Sequence, residues 1–362
     1  MGAIEKTHYL GKLAGPASMA FLAVGVASCG SGENANVASG GGADCTDEQG
    51  LTYICDLVVP EDVVNLGSTG LVLVSGHRAP GNMYLVTPAD GRPLELIHSD
   101  MFSQQHDAEM FPDCPGPLNT ESFDVHGISP AEIAPRRFSL YTTSHGEREA
   151  IEVYELDLTG ADPSLTWTGC VLLSQDGYHN AVIRLGDGGF VATYMRDQGV
   201  SNADVQPGQI TGHLVEWQPG GEPQTLAGTE MSLPNGIDVS ADERFLYVAA
   251  SGTNELVRFD RSQMPMAKVT APLPIRPDNF HWDTDGNLLS AGAKPADPTC
   301  AGPGCATAGW SAIEIDAQTF DVTVLGGADA DAAMQRVSAA IRLGDEIWVG
   351  SNLDRIARFS VN

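Results

Sequence analysis

Positive charge is scarce in this chain: 19 lysine and arginine residues stand against 47 aspartate and glutamate, a formal net charge of −28 over 362 residues. Binding along a phosphate backbone needs a basic face, so nucleic-acid partners are excluded. The carboxylate surplus is compatible with a cation site, although most of it reads as solvated surface. Long helical periodicity is nearly missing too. Only "DADAAMQRVSAA" fits a short helix, and a loop fits it equally well. That rules against an α/β barrel, which needs a helix after each strand. No GxSxG elbow, no Walker loop and no GxGxxG behind a strand occurs, so the usual sequence signs of serine-elbow, P-loop and dinucleotide chemistry are absent. No CxxC spacing occurs either, which argues against metal binding by cysteine. Beyond the N-terminus no apolar run approaches the ~20 residues of a membrane span.

What is present begins with a targeting segment, set apart from the fold. Lys6 and Lys12 precede the apolar run "LAGPASMAFLAVGVAS", which ends in small residues before Cys29. The tetrapeptide Val26 to Cys29, "VASC", resembles a bacterial lipobox, whose cysteine is lipidated and becomes the mature N-terminus; an ordinary signal peptide is the alternative. This predicts a leader over 1–28 and an exported lipoprotein that meets the membrane only through a lipid on Cys29. Gly30, where an aspartate would retain the protein at the inner membrane, points to the outer one. "GSGENANVASGGGAD" reads as a flexible tether, giving 29–44 as linker and 45–362 as the folded domain. Setting Cys29 aside leaves six cysteines for an oxidising compartment. Cys45 with Cys55 and Cys300 with Cys305 make local pairs, leaving Cys114 and Cys170, though spacing alone leaves the connectivity open.

With 42% hydrophobic residues the chain can build a large core, and 41 glycines and 22 prolines suit many short strands joined by turns. One pattern recurs past the tether: a Gly/Asp-rich turn, a short apolar strand ending in small residues, then a second strand. The pairs are "GLVLVSGH" with "NMYLVTP", "FSLYTTSH" with "AIEVYELDL", "GFVATYM" with "GHLVEWQP", "FLYVAAS" with "NELVRFD", "NLLSAGA" with "SAIEIDA", and "EIWVGS" with "RIARFSV". Their spacing of roughly 40–70 residues is near that of four-stranded propeller blades. A β-sandwich would not produce six such pairs. The expected fold is all-β, a six-bladed β-propeller with a central channel, whose innermost strands carry small residues because backbones crowd the axis.

Four stretches put oxygen-bearing side chains where strands enter from the channel mouth: "VPEDVVNL" (Glu61, Asp62), "GYHNAVIRL" (Asn180), "LPNGIDVS" (Asn235) and "RPDNFHWD" (Asp278, Asn279). Each alone is an ordinary turn signal. Recurrence at one blade position is not, and carboxylates with carboxamides suit a hard cation such as Ca²⁺. His126 in "FDVHGIS" and His145 in "YTTSHGERE" both fall in the second blade, where two imidazoles could work as a base and its positioning partner. His77, His98, His106, His179, His213 and His281 lack comparable support, His179 serving at most as a neighbour behind Asn180.

Taken in order from about Glu61 to the C-terminus, these residues resemble the paraoxonase (arylesterase/lactonase) family, within the broader propellers grouped as gluconolactonase, luciferin-regenerating enzyme and strictosidine synthase-like proteins. "HGIS", "LPNGIDVSADERFLYVA" and "PDNFHWDTDGNLLSAG" carry most of the likeness. The resemblance implies a calcium ion held by Glu61, Asn180, Asn235, Asp278 and Asn279 that polarises the carbonyl of a lactone or ester. It implies His126 as general base, with His145 orienting it. Asp62 and the Ile128 carbonyl would serve a second, structural calcium, but Ala181 stands where that family has an aspartate ligand, so only one calcium is firmly expected. The family's disulfide between chain ends is also missing, leaving "TYICDLVV" to pair with the last blade without a covalent clasp. The competing readings are a non-catalytic, calcium-stabilised propeller that binds a small molecule or protein, and a strictosidine synthase-like condensing enzyme, which "HGIS" disfavours. Loops such as "MFSQQHDAEMFPDCPGPLNTE" and "AKPADPTCAGPGCATAG" would set specificity over the mouth.

Overall fold

The computed structural model describes residues 45–48 and 50–361; the expected leader, lipidated Cys29 and tether lie outside them. The first strand, β1 (Thr52–Ile54), belongs to the last sheet. Blade one follows with β2 (Val63–Asn65), β3 (Val72–Ser75), β4 (Met83–Val86) and β5 (Pro93–Glu95). Blade two holds β7 (Val125–Ala134), β8 (Arg137–Ser144), β9 (Ala150–Asp157) and β10 (Ser164–Leu172), with the short β6 (Phe102–Gln104) added in parallel along its outer edge. Blade three runs β11 (Gly177–Arg184), β12 (Phe190–Asp197), β13 (His213–Trp217) and β14 (Gln224–Thr225). Blade four runs β15 (Pro234–Val239), β16 (Phe245–Ala250), β17 (Glu255–Asp260) and β18 (Ala267–Pro272). Blade five runs β19 (Arg276–Trp282), β20 (Asn287–Pro295), β21 (Thr307–Asp316) and β22 (Val322–Asp329). Blade six joins β23 (Val337–Leu343), β24 (Glu346–Ser351) and β25 (Ile356–Ser360) to β1.

The result is the expected six-bladed propeller, with meander order in each blade and one long-range closure. Tyr53 pairs with Ala357, so the N-terminal strand completes the C-terminal sheet through backbone hydrogen bonds. The six sequence repeats are the second and third strands of the blades, which alternate or run apolar because both faces are buried. Their preceding turns hold residues suited to reversal, such as Gly286 of "DTDGN" at φ +85°. "DADAAMQRVSAA" is a turn leading into β23 and not a helix.

Between blades, apolar faces pack into a layered core in which Trp167, Trp310, Trp348, Tyr154 and Phe259 are fully buried. Each such side chain contributes roughly 1.5–3 kcal/mol. Disulfides join Cys45 to Cys55, Cys114 to Cys170 and Cys300 to Cys305, as the cysteine spacing suggested. The second of these fastens the long loop ahead of blade two onto β10.

Candidate active site

The strands β2, β7, β11, β15, β19 and β23 contact one another in a closed circuit around the axis. Five of them share an irregularity. Pairing with the next strand breaks between Val125 and Ile128, His179 and Val182, Pro234 and Ile237, Pro277 and Phe280, and Val337 and Ala340. Bulges re-aim side chains, and the two residues released each time are His126–Gly127, Asn180–Ala181, Asn235–Gly236, Asp278–Asn279 and Ser338–Ala339. In blade one Glu61 and Asp62 stand at the same level, just ahead of β2.

The bulge sorts its two residues to opposite ends of the channel. Glu61, His126, Asn180, Asn235 and Asp278 line one cavity of about 580 Å³. Asp62, Ile128, Ala181 and Asn279 line another of about 310 Å³. Space at the second bulge position is tight. A Cβ on Gly236 would fall 2.4 Å from the Asn279 Cα, and one on Gly127 would fall 2.7 Å from the Ala181 Cα. At these two crossings the neighbouring strands approach so closely that only glycine fits.

In the larger cavity, Glu61 Oε2, Asn180 Oδ1, Asn235 Oδ1 and Asp278 Oδ1 are buried without a hydrogen-bond partner. The donor groups around them are already engaged: Asn279 Nδ2 donates to Glu61 Oε1 at 3.0 Å, and Asn180 Nδ2 lies 3.2 Å from His126 Nε2. Burial pushes the Glu61 carboxyl up to about 8, with Asp62 adding to it. Burial, then Glu61, drives Asp278 well above the usual carboxylate range. Orphaned oxygens from four blades, two of them carboxylate, fit a hard cation and lack the nitrogen or sulfur that softer metals favour.

Beside this shell runs a hydrogen-bonded relay. His126 Nδ1 is 2.9 Å from His145 Nε2, and His145 Nδ1 is 2.8 Å from Glu149 Oε1. The other Glu149 oxygen meets the buried His179 ring at 3.0 Å and its backbone N–H at 3.2 Å. Burial alone would raise the Glu149 carboxyl, but hydrogen bonds from His145 and His179 hold it down at about 2. Burial, with His77 and His145 close by, depresses His126 well below its usual value. Tyr178 stacks on His145 with ring centroids 4.3 Å apart, and Arg196 lies 4.2 Å over the Tyr178 ring.

His77, set aside on sequence grounds, belongs to this cluster. Its ring stacks on His126 at 4.2 Å and its Nδ1 is 2.8 Å from Asp124. The ligand nitrogens of His77, His126 and His145 lie within 4.8 Å of one another. The His77 and His126 rings are only 16° from parallel. In-plane lone pairs from two stacked rings do not converge on one ion, so this cluster suits proton handling better than metal binding.

At the far cavity, Asp62 has no free oxygen. Oδ1 meets His281 Nε2 at 2.7 Å and the Val63 N–H at 2.9 Å, while Oδ2 accepts from the Ile128 N–H at 2.9 Å. Although burial lowers the His281 imidazole, Asp62 outweighs it and raises the ring above its usual value. With Asp62 engaged this way and alanine at 181, these residues do not fit a second calcium. His281, also set aside from sequence, is the partner that occupies Asp62 Oδ1.

Nothing local marked His77 or His281, because their partners are 47 and 219 positions away and on other strands or turns. Only the four-residue spacing of His145 and Glu149 was open to notice.

Residues 161–297, from β10 through β20, match the family described as SMP-30/Gluconolactonase/LRE-like region. The chain carries a gluconolactonase-like region. That segment includes Asn180, Asn235, Asp278 and Asn279. A luciferin-regenerating enzyme superposes with a TM-score of 0.54 at 16% identity, covering 85% of this chain and 94% of that one. A gluconolactonase from Xanthomonas campestris gives 0.51 at 16%, covering 86% and 89%. At such identities these structures share the fold.

Proposed function

We propose that this propeller is a calcium-dependent hydrolase of lactones or esters, of the paraoxonase type within the gluconolactonase-like propellers. The observation that carries it is the set of four buried, partnerless oxygens beside the His126–His145–Glu149 relay. Glu61, Asn180, Asn235 and Asp278 would hold the ion, with Asn279 buttressing Glu61 through its amide. Calcium in that shell supplies a Lewis acid for the scissile carbonyl. Asp62 and Ile128 are left to structural work, so one calcium is proposed.

Proton handling follows from the hydrogen bonds. Glu149 is ionised and can only accept, so His145 carries its proton on Nδ1 and presents a lone pair at Nε2. His126 then donates from Nδ1 to His145, which leaves the His126 Nε2 lone pair toward Asn180 and Glu61, as base for a water. A proton gained at Nε2 leaves positive charge that His145 and the Glu149 carboxylate stabilise. A calcium that merely braced the channel would need none of this, which weighs against a purely binding propeller.

Three disulfides fit the export predicted from the leader; we take the enzyme to be tethered outside the cytoplasm through Cys29. Its partner is a small-molecule substrate. A panel of lactones and aryl esters tests the reading. Hydrolysis is expected in at least one class, and His126→Gln should lower kcat by about 10²–10⁴-fold while bound calcium stays. Turnover unchanged in that variant would remove the relay from catalysis.

A further inference from the structure

Acidic residues outnumber basic ones by more than two to one in this molecule, but the wall of the larger cavity departs from that balance. Arg196 at the end of β12, Arg276 at the start of β19 and Arg336 just before β23 all line it. They come from three blades of a chain with only 19 basic residues against 47 acidic ones. Of the arginines elsewhere, Arg137, Arg148, Arg244, Arg261, Arg342 and Arg358 each form an ion pair, while Arg136, Arg184 and Arg258 are held by backbone carbonyls. Arg196 is fixed by a 2.6 Å hydrogen bond from its Nε to Asn202 and by the Tyr178 ring beneath it. Arg276 and Arg336 make no ion pair among the described residues; Arg276 is half-buried with the Asp278 carboxylate as its strongest charged neighbour, and Arg336 is exposed.

Two guanidiniums from different blades, neither locked in an ion pair and both facing one cavity, leave their hydrogen-bond donors free for an anion that enters it. The negative field of the remaining surface makes them matter more, because it would otherwise turn an anion away from the mouth. A planar guanidinium fork suits an oxyanion such as a carboxylate or phosphate. Arg276 lies two positions before Asp278 on the same strand, a separation of roughly 7 Å in extended backbone. An anion on Arg276 would therefore lie a few bonds from a carbonyl placed at the oxygen shell.

We propose that Arg276 and Arg336 bind an oxyanionic group, carboxylate or phosphate, carried by the substrate a few bonds from its scissile ester or lactone carbonyl. The assignment rests on the hydrolase reading above and adds the substrate class. Arg196, held by its own contacts, closes the same wall.

The test compares γ-butyrolactones bearing a carboxylate, a phosphate or a neutral carboxamide, using the calcium-loaded full chain. One of the two anionic arms should exceed the carboxamide roughly 10- to 100-fold in kcat/KM, the range expected of charge-assisted hydrogen bonds. Whichever arm wins identifies the source of the anion. That preference should collapse in Arg276→Gln and in Arg336→Gln, the latter changing an exposed side chain. A second arm does not depend on turnover: sulfate ion should bind the wild type, measured by calorimetry, and lose at least about tenfold in affinity in either variant. Equal use of neutral and anionic lactones together with no sulfate binding would overturn the proposal. Sulfate binding that the variants abolish, with none of the lactones or esters hydrolysed, would keep the anion site and sink the hydrolase reading instead.

Discussion

Glu149 determines what the two histidines can do. As an ionised acceptor it fixes the His145 tautomer, which in turn fixes the His126 lone pair. Glu149→Gln removes that control, because an amide can donate as well as accept. The variant should lose about 10²-fold in kcat with KM little changed, checked by steady-state kinetics on the best lactone or ester. The same residue gives an acid signature. Its carboxyl sits at about 2 in the folded protein against an ordinary value of 4.5, so the stabilisation is present above the ordinary value and fades as pH falls toward 2. Thermal melts from pH 6 to pH 3 should therefore fall more steeply for the wild type than for Glu149→Gln; parallel curves would contradict the pairing. At this scale His126 and His145 were legible from local motifs, as were the oxygen-bearing residues of the shell. His77, Arg276 and Arg336 were not, because their meaning comes from neighbours that folding alone brings near, and Glu149 offered only its spacing of four from His145.

The element that matters is the bulged inner strand. A regular strand would alternate its side chains along the channel without interruption. The break over two residues lets one blade give a polar group to each end, as Asp278 and Asn279 do. Gly236 shows how tight the arrangement is, since a side chain there would overlap the Asn279 Cα. Gly236→Ala should destabilise the protein by about 1–3 kcal/mol, measured by denaturant unfolding, and weaken calcium binding by moving Asn235. Wild-type stability and affinity would contradict that account. The middle strands were readable as six apolar pairs, whereas the inner strands showed only the point where a polar residue precedes an apolar run, because the bulge there interrupts their alternation. The candidate residues were thus legible at the entry of their strands, while the bulges that aim them were not.

Across the whole molecule, six blades bring single residues from distant stretches to one axis. Glu61 precedes β2 and its hydrogen-bond partner Asn279 lies 218 positions later. Closure by β1 against β25 keeps the two in register without a clasp between the chain ends. The repeat made this architecture readable from sequence, and the glycine- and proline-rich composition agreed with it. Beyond the reach of composition was the charge arrangement: an acidic surface around a cavity with an arginine wall and an oxygen-lined floor. That floor is the centre of the functional reading, and a calcium titration examines it most directly. Chelator-stripped protein would be titrated with calcium while bound ion and lactone or ester hydrolysis are followed in the same samples. The prediction is one tightly bound ion per chain, with hydrolysis absent at the start and rising in step with occupancy. Full turnover in the stripped protein, or an ion that binds without any gain in hydrolysis, would contradict it.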